Sequence, residues 1–330
     1  MNINDFFEKI VSNLNLGKMS NEPLRVTGGL THKMYKLVTD KSTYIVKLLN
    51  PNIMKRSTSL SNFQRADALE KLLKSNNIEA IYSMEFNGIK MQQLDNQYFY
   101  VYNWYDGKSL KDNEIQKKHC EIIGEVLAQI HNISIKESEW AEKEKNIDWQ
   151  HYVDLAKEKK SPIYDILYDK IDILNESMNK GNEVINKLPN YIALCHNDLD
   201  SKNVLWIDDE YKIIDLECLD YANPYLELFT LALCWSKYES CDIDYELFKT
   251  FLDSYFKGSK LKKNIDWESI YYANNGRLEW LEYNIKRALL IETDSSEEQE
   301  LGIKEVKETI EHVVYYAKSK EKILEAINMI

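Results

Sequence analysis

Glycine and proline are scarce in this chain, 10 and 5 of 330 residues. No Pro-, Gly- or Ser-rich linker divides it, so its length allows one large bilobal unit or two domains. Cysteine is scarce too, and the five present (Cys120, Cys195, Cys218, Cys234 and Cys241) form no Cys-x-x-Cys pair. An odd count scattered through apolar stretches excludes a disulfide framework and reads as buried thiols in a reducing cytosol. Positive charge is outweighed, with a net charge of -12. That argues against a general nucleic-acid or membrane-surface binder, because either partner is polyanionic. The N-terminus has neither the basic nor the apolar region of a signal peptide, and no run approaches the roughly 18 apolar residues that span a bilayer. The expected location is the cytoplasm. Also absent are a Walker A motif, a full Gly-x-Gly-x-x-Gly, and a His cluster with metal-ligand spacing, so a metallohydrolase built on His196 and Asp198 finds no support.

What is present starts with 44% apolar residues, ample for a sizeable core. The chain is organised around residues 192–217, in which Asp198, Asn203 and Asp215 each follow or interrupt an apolar run. Ile192 to Leu194 leads into a polar loop, and Val204 to Ile207 and Tyr211 to Ile214 flank the turn Asp208-Asp209-Glu210. This is the pattern of a small hairpin with polar residues held at its ends. The chemistry it suits is phosphoryl transfer to a hydroxyl. An alcohol needs a carboxylate to orient it and accept its proton, while the Mg²⁺ ions of a nucleotide need hard oxygen ligands from a further carboxylate and an amide. Asp198, with Asn203 five residues later, fits His-x-Asp-x-x-x-x-Asn, and Asp215 fits the metal-binding Asp after the next strand.

His196-Asn197-Asp198-Leu199 with Asn203, followed by Ile214-Asp215-Leu216-Glu217, resembles the signature of the aminoglycoside phosphotransferase and choline kinase superfamily. The resemblance implies an α+β, bilobal protein-kinase-like fold, with a small antiparallel-sheet N-lobe over residues 1–105 and a larger, mostly helical C-lobe over residues 106–330. It also implies that Asp215-Leu216-Glu217 stands where protein kinases have Asp-Phe-Gly.

The chain before and after this stretch reads in the same frame. Ile3, Phe6, Phe7, Ile10, Val11 and Leu14 mark an amphipathic helix. Two apolar-rich runs then enclose Gly28-Gly29-Leu30-Thr31-His32. Backbone closing over a triphosphate must approach it without intervening side chains, which Gly28 and Gly29 permit and Thr31 assists; the plain alternative is a hairpin turn. Lys47 lies alone in the apolar run Tyr44 to Leu49. Such a lysine is unfavourable unless it has an anionic partner or faces solvent on an edge strand. The resemblance implies that it holds the α and β phosphates and pairs with an acid on the helix around Ser61 to Ser75, Asp67 in preference to Glu70. Strands are expected over Ile81 to Phe86, Gly88 to Leu94 and Gln97 onward; the resemblance implies that the last ends in an interlobe linker where Asn103, Trp104 and Tyr105 bind adenine through main-chain groups, the plain alternative being an aromatic core strand. His119 to His131 reads as a core helix with His131 a structural histidine, and Glu137 to Lys160 as a charged helical insertion bearing Trp140. Glu217 and Asp220, close to Asp215, are candidates for the acceptor. Trp280 and Tyr283 beside Glu279 and Glu282 read either as core or as a cage for a quaternary ammonium.

The expected activity is Mg²⁺-dependent transfer from ATP or GTP to a hydroxyl of a small acceptor, an aminoglycoside or a choline-like amino alcohol being favoured by the acidic balance. Lys47 and the 28–32 loop would fix the nucleotide, Asn203 and Asp215 would bind metal, Asp198 would act as base and His196 would brace the loop. The partners expected are nucleotide and acceptor, with no nucleic acid and no membrane, in a monomer or weak homodimer. The alternative is a catalytically silent nucleotide-binding protein that acts as sensor or scaffold.

Overall fold

The structure, a computed structural model, describes residues 3–26, 31–138, 142–293 and 295–330. It divides into two compact units, Met1–Leu110 with Lys202–Asp220, and Lys111–Ser201 with Tyr221–Ile330.

The chain opens with helix α1 (Ile3–Asn13), whose Phe6, Phe7, Ile10 and Val11 recur at helical spacing and are buried. Strands β1 (Leu24–Val26), β2 (Lys33–Val38) and β3 (Thr43–Leu48) follow, then helices α2 (Pro51–Met54) and α3 (Ser59–Ser75), and strands β4 (Gln92–Leu94) and β5 (Gln97–Asn103). The five strands form an antiparallel sheet in the order β1-β2-β3-β5-β4. Period-2 alternation sends Val46 and Leu48 into a core with α1, Leu37, Phe99 and Val101, so Lys47 emerges on the opposite face. The expected strand at Ile81 to Phe86 is extended chain without a ladder of its own. Ile81 N–H donates to Ile213 O and Met84 N–H to Val101 O, both at 2.8 Å.

In the second unit α4 (Lys117–Asn132) is followed by the short strand β6 (Lys136–Glu137), then α5 (Trp149–Glu158), α6 (Tyr164–Val184) and β7 (Tyr191–Cys195). Helix occupies only the end of the expected 137–160 insertion, and Trp140 lies outside the described residues. The chain then forms the hairpin β8 (Val204–Ile207) and β9 (Glu210–Ile213), closed by Asp208-Asp209, and strand β10 (Asp220–Ala222), which flanks β7. The hairpin belongs to the first unit, although a division at residue 105 assigns it to the second part. The physical reason is the main-chain bonding of residues 79–81 to Ile213, which adds the hairpin to the first unit's backbone network.

The remaining helices are α7 (Pro224–Cys234), α8 (Tyr245–Gly258), α9 (Trp267–Ala273), α10 (Arg277–Ala288) and α11 (Ser296–Asn328). Helix α7 starts sharply because the Asn223 side chain caps Tyr225 N–H and Pro224 takes the first turn. Asp244 caps α8 and Ser295 caps α11 in the same manner. Leu281, Ile285, Val306 and Ile310 join residues of α5 and α6 in a buried cluster. The small antiparallel sheet in the first unit and the mostly helical second unit give the expected α+β class. Among the described residues no helix is long and apolar enough to cross a membrane.

Candidate active site

Lys47 is buried, with 6% of its surface exposed. A buried ammonium is unfavourable by several kcal/mol unless it is paired. Here Nζ donates to Asp215 Oδ1 at 2.6 Å and to Glu217 Oε2 at 2.5 Å. Burial works to lower the lysine's pKa, but the two carboxylates outweigh it and the net shift is upward. Burial would likewise raise Glu217, and the ammonium with the hydrogen bond from His32 overcomes it, so this carboxyl titrates below its ordinary range. His32 is itself buried. Asn50 N–H donates to its Nδ1 at 3.0 Å, so the ring proton sits on Nε2, 3.2 Å from Glu217 Oε1.

The hairpin sets this geometry. Val204 pairs with Ile213, and Ile214 N–H donates to Asn203 O at 2.9 Å, so Asn203 and the residue before Asp215 meet at the hairpin's open end. Asp215 is left-handed, with φ 63° and ψ 54°. A non-glycine residue there is held at a backbone cost on the order of 1–3 kcal/mol. Asn203 is buried beside it in the chain path.

The expected pairing of Lys47 with an α3 acid is not made. Asp67 Oδ2 accepts from Tyr100 Oη at 3.2 Å. Glu70 is buried and takes Lys90 Nζ at 2.9 Å and Ser83 N–H at 2.7 Å. The acids of α3 are thus engaged with the 83–90 segment and with β5. Burial drives the Asp67 carboxyl up to about 6, with Lys90 opposing.

In the linker segment, Trp104 N–H is committed to Thr43 O at 3.0 Å, and Lys36 Nζ lies 3.7 Å from the Trp104 ring centroid. Asn103, Trp104 and Tyr105 line a cavity of about 700 Å³ with Lys74, Tyr82 and Lys212, and neither Lys47 nor Asp215 lines it. Gly28 and Gly29 lie outside the described residues, while Thr31 is half-buried next to His32.

In the second unit β7 delivers the loop bearing Asp198. His196 is fully buried, and its Nδ1 accepts Asp198 N–H at 3.3 Å, so the ring turns inward on its own loop. Its Nε2 is buried and meets no hydrogen-bond partner among the described residues. Asn197 is left-handed at φ 64°, and its N–H donates to Glu227 Oε1 at 2.5 Å. Glu227 Oε2 lies 2.7 Å from His131 Nε2, and His131 Nδ1 lies 2.7 Å from Tyr255 Oη. A neutral imidazole satisfies this chain if Tyr255 O–H donates to Nδ1 and Nε2–H donates to Glu227. One residue past Asp198, Leu199 O accepts the Trp235 indole N–H at 2.9 Å. Burial pushes Glu227 up, but the bonds from His131 and Asn197 prevail and its pKa is lowered. Cys195 Sγ lies 3.6 Å from His131 Nε2, its thiol pushed well up by burial. Both nitrogens of His131 already have partners, so the trio reads as a hydrogen-bonded relay and not as a metal centre.

Glu227 and Tyr255 were not expected from sequence. The signal available for Glu227 is a lone acid in the apolar run Pro224–Cys234, the same kind of anomaly that singles out Lys47.

Each of the four candidate acceptor residues has a protein partner of its own. Glu217 holds Lys47, and Asp220 takes the Arg65 guanidinium at 2.9 Å, both within the first unit. Trp280 Nε1–H donates to Glu305 at 3.2 Å, and Tyr283 meets the Trp280 ring at a 37° tilt and has the Arg287 guanidinium 5.3 Å from its ring centroid. Helix α10 buries Leu278, Leu281 and Ile285, and its Trp280 is drawn to an acid of α11. The cavity that reaches Asn197 has a volume of about 350 Å³, with Glu142, Asn182, Thr230, Asn274 and Glu279 in its wall. Glu142 is half-buried, which raises its pKa, and Glu279 pairs with Lys145 at 2.6 Å.

A search of curated proteins returns no match. Among solved structures, spectinomycin phosphotransferase APH(9)-Ia in complex with ADP and spectinomycin is 16% identical, with TM-score 0.69, covering 95% of this chain and 98% of that one. An amicoumacin kinase bound to AMP-PNP and Ca²⁺ is 14% identical, with TM-score 0.60 and 94% of each chain covered. Choline kinase from Cryptosporidium parvum Iowa II is 14% identical, with TM-score 0.54, covering 97% and 96%. These similarities carry the fold, that of protein-kinase-like small-molecule kinases. The model of the phosphotransferase enzyme family matches residues 23–268, a span that takes in Lys47, the Asp198 loop and the hairpin after it, and the chain belongs to that family.

Proposed function

We propose that the protein transfers the γ-phosphoryl group of ATP or GTP to a hydroxyl of a small acceptor. The observation that carries this reading is the buried Lys47 ammonium shared by carboxylates 215 and 217 at the end of the hairpin. Two carboxylates share one ammonium beside a neutral imidazole, which leaves the cluster one unit negative, and the hard oxygens of Asn203 and Asp215 suit a divalent cation. Asn203 and Asp215 would hold Mg²⁺, which when bound neutralises charge on the phosphate tail. Lys47 would bind phosphate oxygens as a compact point charge. Gly28, Gly29 and Thr31 would cover the nucleotide, with Asn103 to Tyr105 meeting the base. Asp198 would orient the acceptor hydroxyl and take its proton on a carboxylate oxygen as the new bond to phosphorus forms. His196 would act by fixing the main chain at Asp198.

For the acceptor we favour an alcohol that carries an amine, because Glu142 is a half-buried acid in the wall of the cavity that reaches Asn197. The names of the similar structures include spectinomycin and choline. A cytoplasmic location is part of the same reading.

The test is ADP or GDP release with Mg²⁺ across aminoglycosides, amino alcohols, amino acids and sugars, using both nucleotides. Turnover is expected with an amine-bearing alcohol. Asp198→Asn and Asp215→Ala should stay folded and lose about a thousandfold in turnover. Full activity in Asp198→Asn would remove the base assignment. Nucleotide binding without turnover on any acceptor would favour a catalytically silent binding protein.

A further inference from the structure

A lysine that grips phosphate must be held in one place, and here the holding groups are unusual. Both acids on the buried side of α3 are occupied: Asp67 by Tyr100 and Glu70 by Lys90 and Ser83. Glu217, in contrast, divides its two oxygens between Lys47 and His32, and His32 is anchored in turn by the main-chain N–H of Asn50. The run Asn50, His32, Glu217, Lys47 is continuous. Asp215 also reaches Lys47, but its side chain is more exposed, 32% against 20% for Glu217, and it is the carboxylate wanted by a cation. If Asp215 is drawn away, Glu217 remains. It cannot follow without leaving the buried His32 Nε2–H unpaired.

We propose that Glu217 and His32 are the positioning residues of Lys47, in place of an acid from the neighbouring helix. This rests on the reading of Lys47 as the residue that binds nucleotide phosphate. Glu217 orients the ammonium, and His32 fixes the rotamer of Glu217.

Two measurements test it. The first is the equilibrium affinity for ATP with Mg²⁺, and its KM against kcat, in Glu217→Gln, His32→Ala, His32→Gln and Asp67→Asn, each also in a Lys47→Ala background. Glu217→Gln and His32→Ala should weaken nucleotide binding by about tenfold and about threefold with smaller changes in kcat, as expected for a lost charge-assisted hydrogen bond. His32→Gln, whose amide can donate to Glu217, should recover most of that loss. Asp67→Asn should bind as wild type does. Once Lys47 is alanine, Glu217→Gln should have no further effect, because a positioning residue acts only through the group it positions. A Glu217→Gln penalty that persists undiminished in Lys47→Ala would overturn the proposal and make Glu217 a ligand in its own right.

The second measurement needs no nucleotide. The ¹⁵Nζ resonance of Lys47, assigned by its loss in Lys47→Ala, should move in Glu217→Gln and His32→Ala and stay in place in Asp67→Asn. The reverse pattern overturns the proposal. Failure of wild type to bind any nucleotide, with the resonance behaving as expected, would sink the functional reading while leaving the Lys47 geometry standing.

Discussion

The Lys47 cluster and the support behind Asn197 solve one problem in two ways. Each holds a left-handed residue that is not glycine, Asp215 at φ 63° and Asn197 at φ 64°, at or next to a carboxylate assigned to the chemistry. Around Lys47 the holding forces are ion pairs, the cluster carries a net negative charge, and Asp215 is partly open to solvent. Behind Asn197 the forces are hydrogen bonds through Glu227, His131 and Tyr255, and the His131 and Glu227 side chains are 0% and 3% exposed. Charge partners in a partly open cluster can be exchanged for the charges of a ligand. A closed relay with its donors and acceptors matched offers nothing to exchange, and its use is to keep the loop still. The difference separates a cluster whose partners can be traded from a relay whose partners are fixed.

The largest effect should come from breaking the closed relay. Glu227→Ala leaves the Asn197 N–H and the His131 ring without their acceptor in the interior, which should destabilise the protein by about 3–5 kcal/mol. Urea unfolding measures this, and added Mg²⁺ should restore none of it. Lys47→Met should cost less, about 2 kcal/mol, because the carboxylates it leaves behind are partly solvated. Here Mg²⁺ should restore part of the loss by standing in as counter-charge for Asp215 and Glu217. A relay variant rescued by Mg²⁺, or a Lys47→Met protein indifferent to it, would break the contrast.

Acid should act on both regions with the same sign. Glu217 and Glu227 have folded pKa values below their unfolded ones. Each therefore contributes stability that is present above the ordinary glutamate range and is lost as pH falls from that range through the lowered folded values. Unfolding midpoints taken downward from neutral pH should fall below about pH 4.5, and less steeply in Glu217→Gln, where one of the two titrations is removed.

How much of this was legible beforehand depends on whether the information is local. Lys47 stands out because a charge interrupts an apolar strand, and the hairpin stands out because two apolar runs flank an acidic turn, both features of adjacent residues. Partner choice is not local. Periodicity marks Phe63, Ala66, Leu69, Leu72 and Leu73 as the inner face of α3, of which Leu72 is exposed, but Lys90 and Tyr100, which claim its acids, come from distant segments. The same holds for Trp280 and Tyr283, whose spacing suits either a cage or a helix seam and of which Trp280 bonds Glu305 of α11. The cut at residue 105 failed to follow the hairpin because chain order does not show residues 79–81 bonding to Ile213. Glu227 was legible by the rule applied to Lys47, as the lone acid in the apolar run Pro224–Cys234.

Asp67 gives the smallest effect and sharpens the comparison from outside both regions. It is a carboxylate that burial has reached without an ammonium at bonding distance, and its pKa rises to about 6, whereas Glu217 and Glu227 are lowered by their partners. A folded pKa above the unfolded one means that the native state binds the extra proton. The contribution is therefore full below the unfolded value and is lost as pH rises through about 6. Asp67→Asn keeps an acceptor for Tyr100 and removes the titration. The variant should gain stability relative to wild type as pH rises from about 5 to about 7.5, by much less than a fully buried acid would give, because solvent reaches this side chain. Paired urea denaturation curves at the two pH values measure the gap. A gap that stays constant would mean that the Asp67 carboxylate is already compensated by Lys90, and that the contrast between acids lowered by their partners and an acid raised by burial does not hold in this unit.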